Sequence, residues 1–397
     1  MRTLLGTMPD EFTSHLPRRT RVVIAGGGVA ALEALLTLRA DAGELADITL
    51  VADTDSFAYR SLQVGEAFGV GRPRRYSLAS IVTDSGGRFI QAPVAAVRPD
   101  ARELVLGDGG TVTYDALLLA LGARSVPAFE HGTTFGPGSF EEILEDMRSD
   151  FASDVTIVVP RGVLWSLPAY ELALMTASWS EGRNVSIRLI THENGPLDVF
   201  GAEAAASVAE VLRDAGVQVV TGVTPDVAQD GLVRAGDHWL PASRVVSLPV
   251  PVGPRLHGVP STEDGYLDCD QHGRVRGVPG IRAAGDGVAY PIKQGGLAAQ
   301  QADAASADIA RHAGAPTRPR PFRPVLRGLL RTATGPLYLR RSLVTDDGGT
   351  PVSREPLWWP PSKVASRRLA SHLGRLDVEA ANAQRLPSGG FALTTVR

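Results

Sequence analysis

Residues 21–53, RVVIAGGGVAALEALLTLRADAGELADITLVAD, leave this chain few ways to fold. Val22, Val23, Ile24 and Ala25 form a short apolar run of strand type. Gly26, Gly27 and Gly28 follow at once, and Ala31, Leu32, Leu35, Leu36 and Leu38 then recur at helical spacing. A second apolar run, 48–51, ends just before Asp53. Strand, glycine turn, helix and strand make a βαβ unit, and Gly26-x-Gly28-x-x-Ala31 has the spacing that receives a dinucleotide. Gly26 permits the tight turn, Gly28 lets the backbone approach a pyrophosphate, and Ala31 is small enough for helix to pack on strand. Val29 and Ala30 stand at the helix head, where free N–H groups and the positive dipole end face the phosphates. Asp53 is the candidate acid for the ribose hydroxyls. The loop 41–47 is long, so Ala52 is the alternative holder of that position.

The chain has 397 residues. At roughly 100–200 residues per domain this predicts two or three domains. Its longest clean apolar run, 116–121, is far too short for a bilayer. The first twenty residues carry Asp10 and Glu11 and lack a long apolar stretch, so no signal peptide is expected there. The expected compartment is the cytoplasm, with the inner membrane surface as a peripheral setting. Cys269 is the single cysteine; one chain then has no disulfide framework and no CxxC pair. The eight histidines show no metal-ligand spacing, so no metal centre is expected. Net charge is −3, but residues 316–397 carry 14 Lys/Arg against 5 Asp/Glu. That basic segment suggests an acidic partner protein or an anionic membrane surface; a solvated arginine-rich face is the bland reading. Nothing in the pattern points to nucleic acid.

Along the chain, 1–20 reads as a loose leader and 21–153 as the first part of a nucleotide-binding domain. Residues 154–249 read as a second nucleotide-type fold inserted into it, 250–314 as the return, and 315–397 as a basic C-terminal segment. In the first part, Ser56 to Leu62 places Tyr59 and Arg60 just past the nucleotide-binding strand, to pack against a cofactor or to form a buried loop with a surface arginine. Arg72, Arg74 and Arg75 form a basic surface cluster. Asp108-Gly109-Gly110 is a hairpin turn. Ser139 with Glu142 predicts a capping box opening a helix that runs to about Asp150. In the second fold the first strand, 155–159, is followed by Pro160-Arg161-Gly162-Val163-Leu164-Trp165-Ser166-Leu167-Pro168. One glycine stands where three are usual, and a bulky turn does not bring its backbone against a pyrophosphate in the ordinary way. Helices are expected over 168–180, 201–215 and 297–312. The pair Trp358-Trp359 reads as packing at a domain junction or at a subunit junction, as in a homodimer.

Four markers stand in order: Gly26-Gly27-Gly28 with Glu33; 117–122 ending in Ala-Leu-Gly122; an inserted second nucleotide fold; and Ala284-Gly285-Asp286. Over about residues 21–313 the chain resembles the two-dinucleotide-binding-domain flavoproteins, the pyridine nucleotide-disulfide oxidoreductase superfamily. The resemblance implies an α/β fold of two Rossmann-like units and an FAD-dependent oxidoreductase, with NAD(P)H as a candidate second cofactor. It implies that Asp286 serves the ribityl and pyrophosphate region. It also implies that the helix beginning around Gln294, Gly295, Gly296 and Leu297 points its N-terminus at the flavin pyrimidine ring, with Lys293 beside it as a catalytic cation. Arg60, Val94 and Gly122 complete the expected cofactor-binding set.

Within the superfamily the chain is similar to the branch of sulfide:quinone reductase, flavocytochrome c sulfide dehydrogenase and type II NADH dehydrogenase. Trp165-Ser-Leu-Pro-Ala-Tyr-Glu171 is similar to the C-P-x-x-P-Y-E pattern of sulfide-oxidising members, with Trp165 in the place of the cysteine. Disulfide reductase activity is thereby excluded, and the cysteines that sulfide oxidation in that family needs beside the flavin are missing. The expected activity passes electrons through the flavin, from NAD(P)H or a small reductant to a quinone-like or other small acceptor. The alternatives are a reductase for a small acidic carrier such as a ferredoxin, and a flavin-binding protein without turnover. Glu171 is the candidate acid near the flavin and acceptor; its competing reading is a first-turn acid favoured by the helix dipole.

Overall fold

The computed structural model describes residues 18–70, 74–345 and 351–385, the last four as backbone alone. Most of the expected leader, and Arg72 of the basic cluster, lie outside the described residues.

Two parallel five-stranded sheets carry the fold. In the first, the strands stand in the order Ile281–Ala283, Ala116–Leu119, Thr20–Ala25, Ala46–Ala52 and Arg88–Gln91. The second runs Thr133–Thr134, Arg244–Ser247, Asp154–Val159, Ser186–Thr191 and Gln218–Val220. The chain leaves the first sheet after Leu119 and returns at Ile281, so the second unit is an insertion. The outgoing stretch Arg124–Val126 and the returning stretch Val250–Val252 pair antiparallel, which ties the two crossings together. The mixed α/β architecture expected from the sequence is the one observed.

The helix Val29–Ala42 packs on the helix Gly295–His312 over the first sheet. Ala30, Ala31 and Ala34 on one helix, and Ala298, Ala302 and Ala305 on the other, are buried. Small residues on both faces let the helices approach closely, and Leu35, Leu38 and Ile309 fill the space between and beneath them. Truncating one such buried leucine to alanine costs about 2–5 kcal/mol.

One local expectation is corrected. The helix after the first unit runs Glu141–Arg148 with Phe140 at its N-cap, and Ser139 does not cap it. The Ser139 hydroxyl instead accepts from the Gly136 amide (2.7 Å) and donates to the Gly136 carbonyl (2.9 Å). Phe140 is buried against Phe68, and that burial fixes how the chain enters the helix, leaving the serine to the preceding turn.

The basic C-terminal segment is folded onto both units. Its hairpin, Val325–Thr332 with Gly335–Ser342, buries Leu326, Leu330, Leu337 and Leu339 in the same cluster as Leu167, Leu172 and Phe200 of the second unit. Its helix, Leu369–Arg385, places Leu369 and Leu373 in the cluster of the first unit. Three of the segment's cations are held within the fold: Lys363 on Glu171, Arg368 on Asp41, and Arg341 on the Val199 carbonyl. Among the described residues no helix is long and apolar enough to cross a membrane.

Glu33, fully buried in the first helix, joins this segment to the core. Its carboxyl oxygens accept from the backbone amides of Arg368 (2.8 Å) and Leu369 (2.7 Å), which caps the C-terminal helix from another element. Burial, and then the neighbouring Asp303, push the Glu33 carboxyl up from 4.5 to about 7. The folded chain therefore holds this proton more tightly than the unfolded chain. Its contribution to stability is full below pH 4.5 and is lost as pH rises through about 7. Asp303, bonded to Thr37, is raised by burial in the same sense. The Glu33→Gln variant should flatten this decline in denaturation measurements, removing a slope that totals about 3 kcal/mol. An unchanged slope would place its origin elsewhere.

Candidate flavin site and acceptor cavity

The site starts from a close approach of backbone to backbone. Gly26 has φ +130°, and a Cβ there would lie 2.1 Å from the Ala120 carbonyl oxygen. Its amide donates to the Val51 carbonyl at 2.7 Å. The turn is thus pinned between the ends of the central strand's two neighbours. Gly28 caps the Val29–Ala42 helix without any side-chain bond, and a Cβ there would meet nothing within 4 Å. The first turn carries no acid. Free amides, a positive dipole end and open space at Gly28 together fit a pyrophosphate. Around the same sheet edge, a Cβ on Gly285 would meet Ala30 at 3.0 Å, and one on Gly287 would meet the Gly122 carbonyl at 2.9 Å. The structure therefore brings together Gly26, Gly28, Val29, Ala30, Ala31, Gly122 and the Gly285-Asp286 turn. The Asp286 carboxylate is half-buried, takes no hydrogen bond from the described residues, and is raised by burial against the pull of Lys293. An open acceptor-only carboxylate beside this cradle suits a polyhydroxyl chain. The residues present fit FAD.

Other members of the set lie at the margin. Asp53 is exposed, one residue past the strand Ala46–Ala52, and Ala52 is buried. Val94 begins a strand that pairs with Glu103–Leu106, close after Ala92, whose amide donates to the Ala52 carbonyl. Arg60 is exposed on the turn Arg60–Gly65. Tyr59 beside it is turned inward, its hydroxyl accepting from the Val364 amide at 3.0 Å.

The head of the Gly295–His312 helix is already busy. Gln294 caps it, accepting from the Leu297 amide at 2.8 Å, while its Nε2 donates to the Arg327 carbonyl. A Cβ on Gly295 would strike Val364 at 2.9 Å, and one on Gly296 would sit 3.3 Å from the Ala365 carbonyl. These glycines are small because the C-terminal segment crosses here. Lys293 is buried, donates to the Val288 carbonyl and lies 3.8 Å above the Tyr266 ring. Burial lowers its ammonium to about 8, opposed by Asp286. Cys269 is half-buried, with its thiol pushed up to about 12 by burial and then by Asp268 and Asp270, the opposite of a reactive thiolate.

Under the C-terminal sheet lies a cavity of about 770 Å³. Tyr59, Leu62, Phe68, Leu174, Leu329 and Tyr338 give it apolar and aromatic walls, and Arg331 and Lys363 are its cations. Glu171, 1 % exposed, sits behind that wall. The Lys363 ammonium donates to both its oxygens, and the Arg331 guanidinium lies 3.9 Å away. Burial lowers the Lys363 pKa while Glu171 raises it. Arg331 Nη1 is buried with no hydrogen-bond partner among the described residues. Glu171 lies beyond the first turn of the helix Leu167–Trp179, so the dipole reading does not describe it. Lys363 and Arg331 were beyond sequence reasoning: Lys363 is 192 residues from its partner, and no local pattern marks such a pair.

Gly28→Trp should fill the open space at the helix head and strip FAD from the purified protein, read as loss of flavin absorbance. Leu36→Val, on the same helix but outside the cradle, should leave it yellow. Equal flavin content in both variants would move the pyrophosphate away from Gly28.

The model of the family described as pyridine nucleotide-disulphide oxidoreductase matches residues 20–308. An NADH dehydrogenase-like protein of Mycobacterium tuberculosis is 28% identical over 289 residues, covering 67% of this chain and 72% of the relative. Putidaredoxin reductase of Pseudomonas putida is 28% identical over 213 residues, covering 51% of this chain and 49% of the relative. Of solved structures, the sulfide:quinone oxidoreductase of Aquifex aeolicus is 20% identical and superimposes with a TM-score of 0.72 over 81% of this chain and 84% of that one, a likeness of fold. With the glycine cradle, the Gly-Asp turn and the inserted second unit in place, the chain belongs to the pyridine nucleotide-disulphide oxidoreductase family of FAD- and NAD(P)-dependent oxidoreductases.

Proposed function

We propose that the chain passes electrons through bound FAD, from NAD(P)H or a small reductant, to a quinone-like acceptor seated beneath the C-terminal sheet, without cysteine chemistry. The observation that carries this is the cavity itself: apolar and aromatic walls, with Lys363 and Arg331 as convergent cations on a buried carboxylate. FAD, when bound, supplies the two-electron redox chemistry. The chain's residues supply the rest. A quinone that accepts two electrons also takes two protons to become a hydroquinone. Lys363, whose ammonium is made more acidic by burial, and Glu171, which holds it, are the groups placed to deliver a proton at the cavity wall. Lys293, beside Asp286, is the second proposed catalytic residue, holding positive charge at the head of the Gly295–His312 helix.

Val70, on the cavity rim, is half exposed, and Trp359, two residues before the lining Pro361, is 86% exposed. These apolar groups support entry of a lipid-soluble acceptor from a membrane surface, in a cytoplasmic and peripheral setting. The carrier-protein reading draws on the likeness to putidaredoxin reductase. The internal use of Lys363, Arg368 and Arg341 weighs against a free basic docking face.

With a soluble quinone, Glu171→Gln should lower turnover by about tenfold, some 1.4 kcal/mol of barrier, with flavin content unchanged. Leu329→Trp, which fills the cavity, should raise the KM for quinone while dithionite still bleaches the flavin. Unimpaired quinone turnover in both variants would sink the cavity assignment. Turnover with a ferredoxin that collapses with added salt would favour the carrier reading, and no turnover with any donor and acceptor would favour a flavin-binding protein.

A further inference from the structure

The second unit has its own strand-turn-helix, and the place where a dinucleotide pyrophosphate would rest there is the head of the helix Leu167–Trp179. A carboxylate stands against that place. Glu193 stands two residues past the strand Ser186–Thr191, the position where such a unit ordinarily keeps an acid for ribose hydroxyls. Its carboxylate is turned the other way. It accepts from the Ser166 hydroxyl at 2.8 Å, the Tyr170 hydroxyl at 2.6 Å and the Thr191 hydroxyl at 3.1 Å. Ser166 is the helix N-cap and Tyr170 lies in its second turn, so the carboxylate is held against the start of this helix. Three donated hydroxyl protons fix it as an acceptor.

The surrounding backbone agrees. Pro160 has no N–H to offer at the turn, and Pro168 removes one from the helix head. The Leu164 carbonyl is engaged by the Lys293 amide. The flank of the helix head is covered by the C-terminal sheet: a Cβ on Gly328 would lie 2.9 Å from Leu167 and 2.7 Å from Phe200. Arg161, on the turn, is exposed and bonded to Thr224.

We infer that Glu193 is an internal substitute for the dinucleotide pyrophosphate, so that the second unit does not hold NADH or NADPH by its phosphates. A phosphate brought to this helix head would face the half-buried Glu193 carboxylate across the same hydroxyls, like charge against like. The residues present do not fit the group.

The test uses the FAD-loaded protein. Calorimetric titration with NADH, NADPH and ADP-ribose should show no saturable binding up to about 1 mM, and none of the three should shift the melting temperature. Glu193→Gln, neutral and of the same shape, should gain at least tenfold in ADP-ribose affinity with its flavin content unchanged. Tyr170→Phe, which loosens the carboxylate, gives a second route to that gain should the first variant fold poorly. Micromolar NADH or NADPH binding to the unaltered protein, displaced by ADP-ribose, would overturn the inference. So would the absence of any gain in both variants. Oxidation of dithionite-reduced flavin by quinone does not involve Glu193, so it reports on the acceptor assignment independently.

Discussion

The contact of Gly26 with the Ala120 carbonyl governs the rest. Two backbones meet there at a distance that no side chain survives, and the meeting fixes the first helix over the carboxyl edge of the central strands. With that helix in place, the alanine faces of Val29–Ala42 and Gly295–His312 mate, and the Gly285-Asp286 turn is drawn under Ala30. The cofactor cradle is thus a consequence of packing. Gly26, Gly285 and Gly287 are small because something occupies the space beside them, whereas Gly28 faces open space and Gly122 is set by its φ of +70°.

The second dependence is on the C-terminal segment. It lays a sheet on the inserted unit and a helix on the first, and it is fastened at each by a buried acid: Glu171 to Lys363, and Glu33 to the amides of Arg368 and Leu369. Buried pairs of this kind add little net stability over apolar residues of equal volume, but losing one partner is costly, so they fix position. Here they place Lys363, Arg331 and Tyr338 around one cavity. A segment that by composition looks like a charged tail becomes a wall of the site.

The two nucleotide-type units have diverged by the same physical rule. In the first, the helix head keeps free amides and empty space; in the second, two prolines, a covering sheet and the Glu193 carboxylate stand against it. A helix N-terminus attracts negative charge whatever its source. The first terminus stays open, and at the second the N-cap Ser166 holds the Glu193 carboxylate.

The sequence alone determined the βαβ opening, the insertion of a second unit, the Gly-Asp turn and the single cysteine. Each of these is written in short-range spacing or in composition: apolar runs of period two or 3.6, glycines a fixed step apart, and Cys269 standing alone. The thinned glycine turn at Arg161 was legible in the same way. The tertiary structure alone decided what the isolated charges do. Glu171 read as a first-turn acid or a proton carrier, and only the fold supplied Lys363; Ser139 read as a cap, and the burial of Phe140 gave it to the preceding turn. Glu193 stands where spacing places a ribose acid, but its partners Ser166 and Tyr170 meet it across a sheet edge, and spacing does not show them. Spacing along a chain encodes the period of a helix or strand, whereas the partner of a buried charge is chosen by which distant elements the core brings together.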